Sequence, residues 1–124
     1  MQKLFIYIAA VQGALAVTIG AFGAHALKNH LVAIGRADVF ETAVKYQFYH
    51  TFALLAVGIL QLLRYNKFLD YSGYSFLIGS VIFSGSLYIL CMTNVAKWGA
   101  VTPIGGLVLI AGWILFALGI GQMK

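Results

Sequence analysis

The sequence predicts an all-α, membrane-embedded, antiparallel four-helix bundle. Three observations predict it. The first is composition: the 124 residues are 62% hydrophobic and only 9% charged, with a mean hydropathy of +0.94. A soluble domain is about half apolar and a quarter charged. An unpaired charge is costly in an apolar interior, so this depletion points to lipid as the solvent. The second is the pattern: runs over about 4–27, 42–63, 71–93 and 101–121 carry almost no charge. Each is long enough, at about 1.5 Å per residue, to cross a hydrocarbon core about 30 Å thick. The third is charge placement. Lys3, Lys28, Arg36, Arg64, Lys67, Lys97 and Lys124 lie at chain ends or between runs, where lipid headgroups attract them. No composition shift or internal repeat divides the chain, so residues 1–124 read as one transmembrane domain.

The first run, Leu4 to Leu27, is uncharged apart from His25. A cleaved signal peptide is the rival reading, because Lys3 precedes the run and Ala24-His25-Ala26 resembles a cleavage site. The run exceeds the usual ~7–15 apolar residues of such a peptide. Small residues recur four apart (Ala9 and Gly13, Ala16 and Gly20, Gly20 and Ala24), a spacing that lets another helix approach closely. Residues 28–41 are the longest polar interval. Leu31, Val32 and Ile34 there make either a short interfacial helix stopped by Gly35 or part of an ordinary charged loop. Asp38-x-x-Glu41 reads as a capping box that opens the second span.

The second span is the least apolar. Gln47, His50, Leu54 and Gln61 share one helical face, which should turn inward because a lipid-facing polar stripe is costly. In the third span Ser80, Ser84, Tyr88 and Cys91 share a face, and Ser86 lies on another. Serine hydroxyls can bond their own i−4 carbonyls there, a purely structural role. Trp98, in the short loop that follows, reads as an interfacial anchor. Thr102 reads as an N-cap with Pro103 at the first helical position. Gly105, Gly112 and Gly119, spaced by seven, form a glycine face in the fourth span. It is expected to pack against the Ala16, Gly20, Ala24 face of the first span; a homo-oligomer joined through one of these faces is the alternative.

Antiparallel topology brings the polar clusters to one leaflet. His25 ends the first span, Tyr46, Gln47 and His50 begin the second, Ser84, Ser86 and Tyr88 end the third, and Thr102 begins the fourth. These eight residues form a candidate pocket, with His50 the most buried ionisable group and facing Tyr88 or Ser84. The opposite leaflet is nearly apolar apart from Gln12 and Gln61. Lys3, Arg64, Lys67 and Lys124 against Lys28, Arg36 and Lys97, or against four if Lys45 at the start of the second span is counted, give at most a slight basic bias, which places both termini in the cytoplasm of a cell-membrane protein.

The chemistry of the cluster is sparse. His25 and His50 offer two metal ligands without a third, so no metal and no cofactor are expected. Asp38, Glu41 and Asp70 lie in loops or at helix ends, and no nucleophile elbow, zinc motif or phosphate loop is present. These features point to a structural or accessory protein rather than an enzyme. The alternatives are binding of a small ligand (a quinone or lipid) or an oligomeric channel along Gln61, His50 and Gln47. The net charge of +5 comes from scattered residues that form no stripe, which excludes nucleic acid as a partner. The bilayer, further copies of the chain or other membrane proteins remain. The single cysteine, Cys91, excludes an internal disulfide.

Five motifs in order carry a resemblance: Gly20-Ala-Phe-Gly-Ala-His25, Tyr46-Gln-x-x-His50, Phe83-Ser-Gly-Ser-Leu-Tyr88, Thr102-Pro-x-Gly-Gly106 and Gly112-Trp113. Together they resemble the small bacterial membrane family of the YgdD and YwdK type, known as domain of unknown function 423 or uncharacterised protein family 0382. The resemblance covers nearly the whole chain. It implies a multi-pass membrane protein of unassigned activity and brings no catalytic residue. It also implies that the first span is retained, because cleavage at Ala26 would split its motif.

Overall fold

The structure, a computed structural model, describes residues 3–123. Helices α1 (Leu4–Ala24), α2 (Lys28–Ala33), α3 (Ala37–Leu63), α4 (Lys67–Thr93) and α5 (Thr102–Gln122) follow one another, with a 3-10 turn at Ala96–Ala100 before α5. Helices α1, α3, α4 and α5 are long and apolar enough to cross a membrane and form the four-helix bundle. The polar interval contains the short helix α2 rather than an extended loop. Gly35, at φ +71°, ends it in a conformation that side chains with a Cβ seldom adopt.

Three helix starts differ from the sequence reading. Helix α3 opens at Ala37, ahead of residue 42, and Asp38 lies inside its first turn. No side chain caps this end, so the capping-box reading is wrong; the carboxylate favours the helix dipole instead. Thr102 is likewise helical, with Val101 at the cap position, and its hydroxyl meets Ser86 Oγ at 2.6 Å. The cap that does form was not read from the sequence. Asn66 Oδ1 accepts from Leu69 N–H at 2.9 Å, and Asn66 Nδ2 donates to the Gly119 carbonyl at 3.1 Å. One amide thus opens α4 and ties it to the end of α5.

Packing follows sequence order: α1 on α3, α3 on α4 and α4 on α5. The central α3 and α4 are accordingly buried over a share twice that of the outer two spans, 44% against 22%. The interfaces share a period. Gly105, Gly112 and Gly119 of α5 lie against Phe83, Phe76 and Leu69 of α4, so each step of seven up one helix meets a step of seven down the other. Gly79 of α4 receives Leu109 of α5 within the same register. Ile6, Gly13 and Gly20 of α1 likewise meet Gly58, Thr51 and Val44 of α3. A seven-residue repeat is the signature of left-handed antiparallel crossing at about +20°. The glycine face of α5 therefore packs on α4, not on α1 as expected. The α1 face instead receives α3, with Ala16 fully buried, Gly20 against Val44 and Ala24 exposed.

Serines join these interfaces across helices. Ser84 Oγ donates to the Ala43 carbonyl and Ser72 Oγ to the Gly112 carbonyl, each at 2.8 Å. Only Ser86 keeps a bond within its own helix, to the Phe83 carbonyl. Each of the cross-helix bonds replaces the i−4 alternative and contributes on the order of 0.6 kcal/mol in a membrane.

Candidate functional site

The eight candidate pocket residues do not converge on one pocket. They fall into separate sets, and α3 and α4 divide them. On one side, Gln12 Nε2 donates to the Gln47 carbonyl at 3.2 Å, while Gln47 Nε2 donates to the Gln12 carbonyl at 2.9 Å. This reciprocal pair brings Gln12 level with Gln47 rather than in the opposite leaflet. Tyr88 Oη donates to Gln47 Oε1 at 2.6 Å, and Thr51 Oγ1 adds a bond to the Gln47 carbonyl at 2.7 Å. Three helices are thus joined through one buried glutamine.

On the other side stands His50, buried at 5% exposure. It faces neither Tyr88 nor Ser84: its Nε2 lies 3.1 Å from Trp113 Nε1 of α5, and its Nδ1 lies 2.8 Å from the Tyr46 carbonyl. An indole N–H only donates and a carbonyl only accepts. The ring is therefore the neutral tautomer with its proton on Nδ1, and both nitrogens are in use. Cys91, at 1% exposure, is more buried still. The indole also packs edge-on to Phe76, with ring centroids 4.8 Å apart. Trp113 was missed as a site residue. The signal was present, since an indole N–H within an apolar membrane span has no water to bond and needs an acceptor.

The remaining candidates stand apart. Ser86 and Thr102 pair with each other between α4 and α5. His25 is the exposed C-cap residue of α1. Trp98 is partly buried in the 3-10 turn. His25 and His50 therefore do not meet, and among the described residues no group of three or more metal-ligating side chains occurs. Nor do Gln61, His50 and Gln47 form a file. Gln61 Oε1 accepts from the Asn66 N–H at the far end of α3, and the other two are bound on opposite sides of the α3–α4 pair.

Each side opens as a lateral groove. The first holds about 530 Å³ between α1 and α4, with Gln47 of α3 at its base. Its walls include Val11, Leu15, Leu77, Val81 and Gly85. The Phe5 ring, edge-on to Tyr74 at 5.1 Å and seated where Gly73 lacks a Cβ, joins α1 to α4 below it. Ser80 also lines this groove, 4% exposed, and its Oγ is the one buried side-chain polar atom without a partner among the described residues. The second groove, about 510 Å³, lies between α3 and α5 and is lined by Tyr46, Tyr49, His50, Phe83 and Trp113. Tyr46 stacks on Phe83 there, with centroids 4.6 Å apart.

Comparison with known proteins places the chain. A family described as "Protein of unknown function (DUF423)" matches residues 19–106. The chain belongs to this family. It is 44% identical over 118 residues to a UPF0382 membrane protein of Staphylococcus saprophyticus, covering 95% of this chain and 97% of the relative. It is 42% identical to a UPF0382 membrane protein of Haemophilus influenzae, covering 100% and 98%. With the UPF0382 inner membrane protein YgdD of Escherichia coli K12 it shares 34% identity, covering 99% and 93%. No solved structure matches the chain. Membership and the four apolar helices make this DUF423 chain a multi-pass membrane protein of a family without an assigned activity.

Proposed function

We propose that this chain is a non-enzymatic accessory membrane protein that holds a lipid-soluble amphiphile in the α1–α4 groove. One observation carries the reading: the unpartnered Ser80 hydroxyl on the wall of an otherwise apolar groove. A buried hydroxyl without a bond costs about 1–3 kcal/mol, a cost that a bound acceptor would offset. Ser80 lies at the midpoint of the 27-residue α4, about 20 Å from either end at 1.5 Å per residue. Phospholipid headgroups stay at those ends. The fitting ligand therefore carries a carbonyl or hydroxyl into the hydrocarbon on an apolar tail, as a quinone does. Tyr88 Oη and Gln47, nearer the membrane surface along the same groove, would orient its polar end. The carboxylates Asp38, Glu41 and Asp70 all lie near helix starts, away from this groove, which favours binding over acid–base chemistry.

Gly85 provides the test. It lines the groove, and a Cβ there would meet nothing within 4 Å. Gly85→Leu should fill the groove without disturbing packing. Native mass spectrometry of protein extracted gently from its own membrane should then show a copurifying amphiphile lost in Gly85→Leu and weakened in Ser80→Ala. Ser80→Ala should at the same time raise the melting temperature of the empty protein. An amphiphile retained by Gly85→Leu, or none in the parent protein, would refute the reading. The proposed orientation has both termini in the cytoplasm. Reporters fused after Lys124 and after Arg36 should then report cytoplasm and exterior respectively, and a C-terminal reporter found outside reverses it.

A further inference from the structure

A third hollow lies apart from both grooves, at the membrane surface between α1, α2 and α3, and holds about 340 Å³. Its lining changes character with depth. Gly20 and Val44 lie deepest, Glu41 comes about a turn further out on α3, level with Gly23 of α1, and Lys28 stands beyond the end of α1. The hollow exists because α1 carries glycine here: the Phe40 ring occupies the place a Cβ on Gly23 would need. It belongs to the other flank of α1 from the amphiphile groove, whose α1 wall runs through Ile8, Leu15 and Ile19.

The two charged residues are opposite in sign and sit on different helices. Lys28 is exposed at the start of α2 and makes no hydrogen bond or ion pair among the described residues. Glu41 pairs with Lys45 at 3.0 Å, both well exposed, so this bond is weak and exchangeable. A carboxylate has lone pairs enough for several donors. An apolar floor beside one cation and one anion on different helices offers each charge of a zwitterionic phospholipid headgroup an opposite charge, next to a surface for its apolar part.

We propose that this hollow seats the headgroup of a phospholipid bearing a primary ammonium. Lys28 takes the phosphate through its N–H donors, Glu41 accepts from the ammonium, and the glycerol and first methylenes lie on Gly20, Ala24 and Val44. A choline headgroup has no N–H to give to Glu41. A glycerol headgroup leaves the lipid with a net negative charge beside that carboxylate. The site thus selects ethanolamine among common headgroups.

The test uses the full-length protein, purified in detergent, freed of lipid and titrated separately with dioleoyl phosphatidylethanolamine, phosphatidylcholine and phosphatidylglycerol under native mass spectrometry. The ethanolamine lipid should bind about fivefold more tightly than either of the others, the scale of an exposed ion pair. Both charged side chains are exposed, so Lys28→Gln and Glu41→Gln should fold as the parent does. Glu41→Gln should remove the preference over the choline lipid, and Lys28→Gln should weaken the ethanolamine lipid by a similar factor. Equal binding of the three lipids by the parent protein overturns the proposal. So does an ethanolamine preference over the choline lipid that survives Glu41→Gln, or binding of the ethanolamine lipid that Lys28→Gln leaves unchanged.

Discussion

At the scale of the residue, His50 and Trp113 form the contact with most at stake. Each supplies what the other lacks, an acceptor for the indole and a donor for Nε2, in a setting where neither has water as a substitute. His50→Gln should keep most of the stability, because its amide oxygen can still accept from Trp113. His50→Leu should lose more, because the indole N–H is left unpaired. A double-mutant cycle with His50→Leu and Trp113→Phe, read by unfolding in mixed micelles, should return a coupling of about 0.6–1.7 kcal/mol. A coupling near zero would mean that the bond contributes nothing to the fold. The sequence made His50 legible as an inward-facing group but not its partner. Gln47 and His50 are three residues apart, which at about 100° per residue leaves them about 60° apart around α3. That angle is small enough to look like one face in the sequence. It is large enough for one side chain to reach Tyr88 on one side of α4 and the other to reach Trp113 on its far side.

At the scale of the element, glycines separate by what stands opposite. A Cβ on Gly105 would lie 2.5 Å from the Phe83 backbone nitrogen, which cannot move aside as a side-chain end can. Gly105→Ala should push α4 and α5 apart and cost roughly 1–3 kcal/mol. Gly85→Ala, on the same interface-forming helix but facing open space, should be neutral or stabilise by up to about 1 kcal/mol. Titration with sodium dodecyl sulfate, followed by circular dichroism, would compare them, and equal effects would contradict the packing described. The spacing by seven of Gly105, Gly112 and Gly119 was plain in the sequence, but a heptad fits any neighbour of the same crossing hand. What identified α4 was a second heptad of large residues, Leu69, Phe76 and Phe83, running the other way. The helix starts were harder to read. Asp38 and Thr102 have good capping chemistry, but Phe40 has a place under Gly23 and Thr102 has one beside Ser86, and tertiary contacts outweighed the local preference.

At the scale of the whole molecule, run length and charge placement were enough to give four membrane helices, because lipid demands uncharged, internally bonded segments. The arrangement of those helices was not legible, since antiparallel order fixes which ends meet but not which flanks do. Each helix packs on its neighbours in the series α1, α3, α4, α5. A chain ending after Val95 should therefore keep its α1–α3 and α3–α4 contacts. Cysteines placed at Gly13 and Thr51, where a Cβ on Gly13 would lie 3.4 Å from Thr51 Cγ2, should cross-link as efficiently in that shortened chain as in the full one. Loss of the cross-link on removing α5 would show that the bundle closes only as a unit. The same serial order bears on synthesis. During translation each new span after the first enters the membrane to find a packing partner already there. What waits for the last helix is a short set of groups on α3 and α4: the Ser72 hydroxyl and the Asn66 amide meet the Gly112 and Gly119 carbonyls, and the ring nitrogen of His50 meets its indole donor, only when α5 arrives.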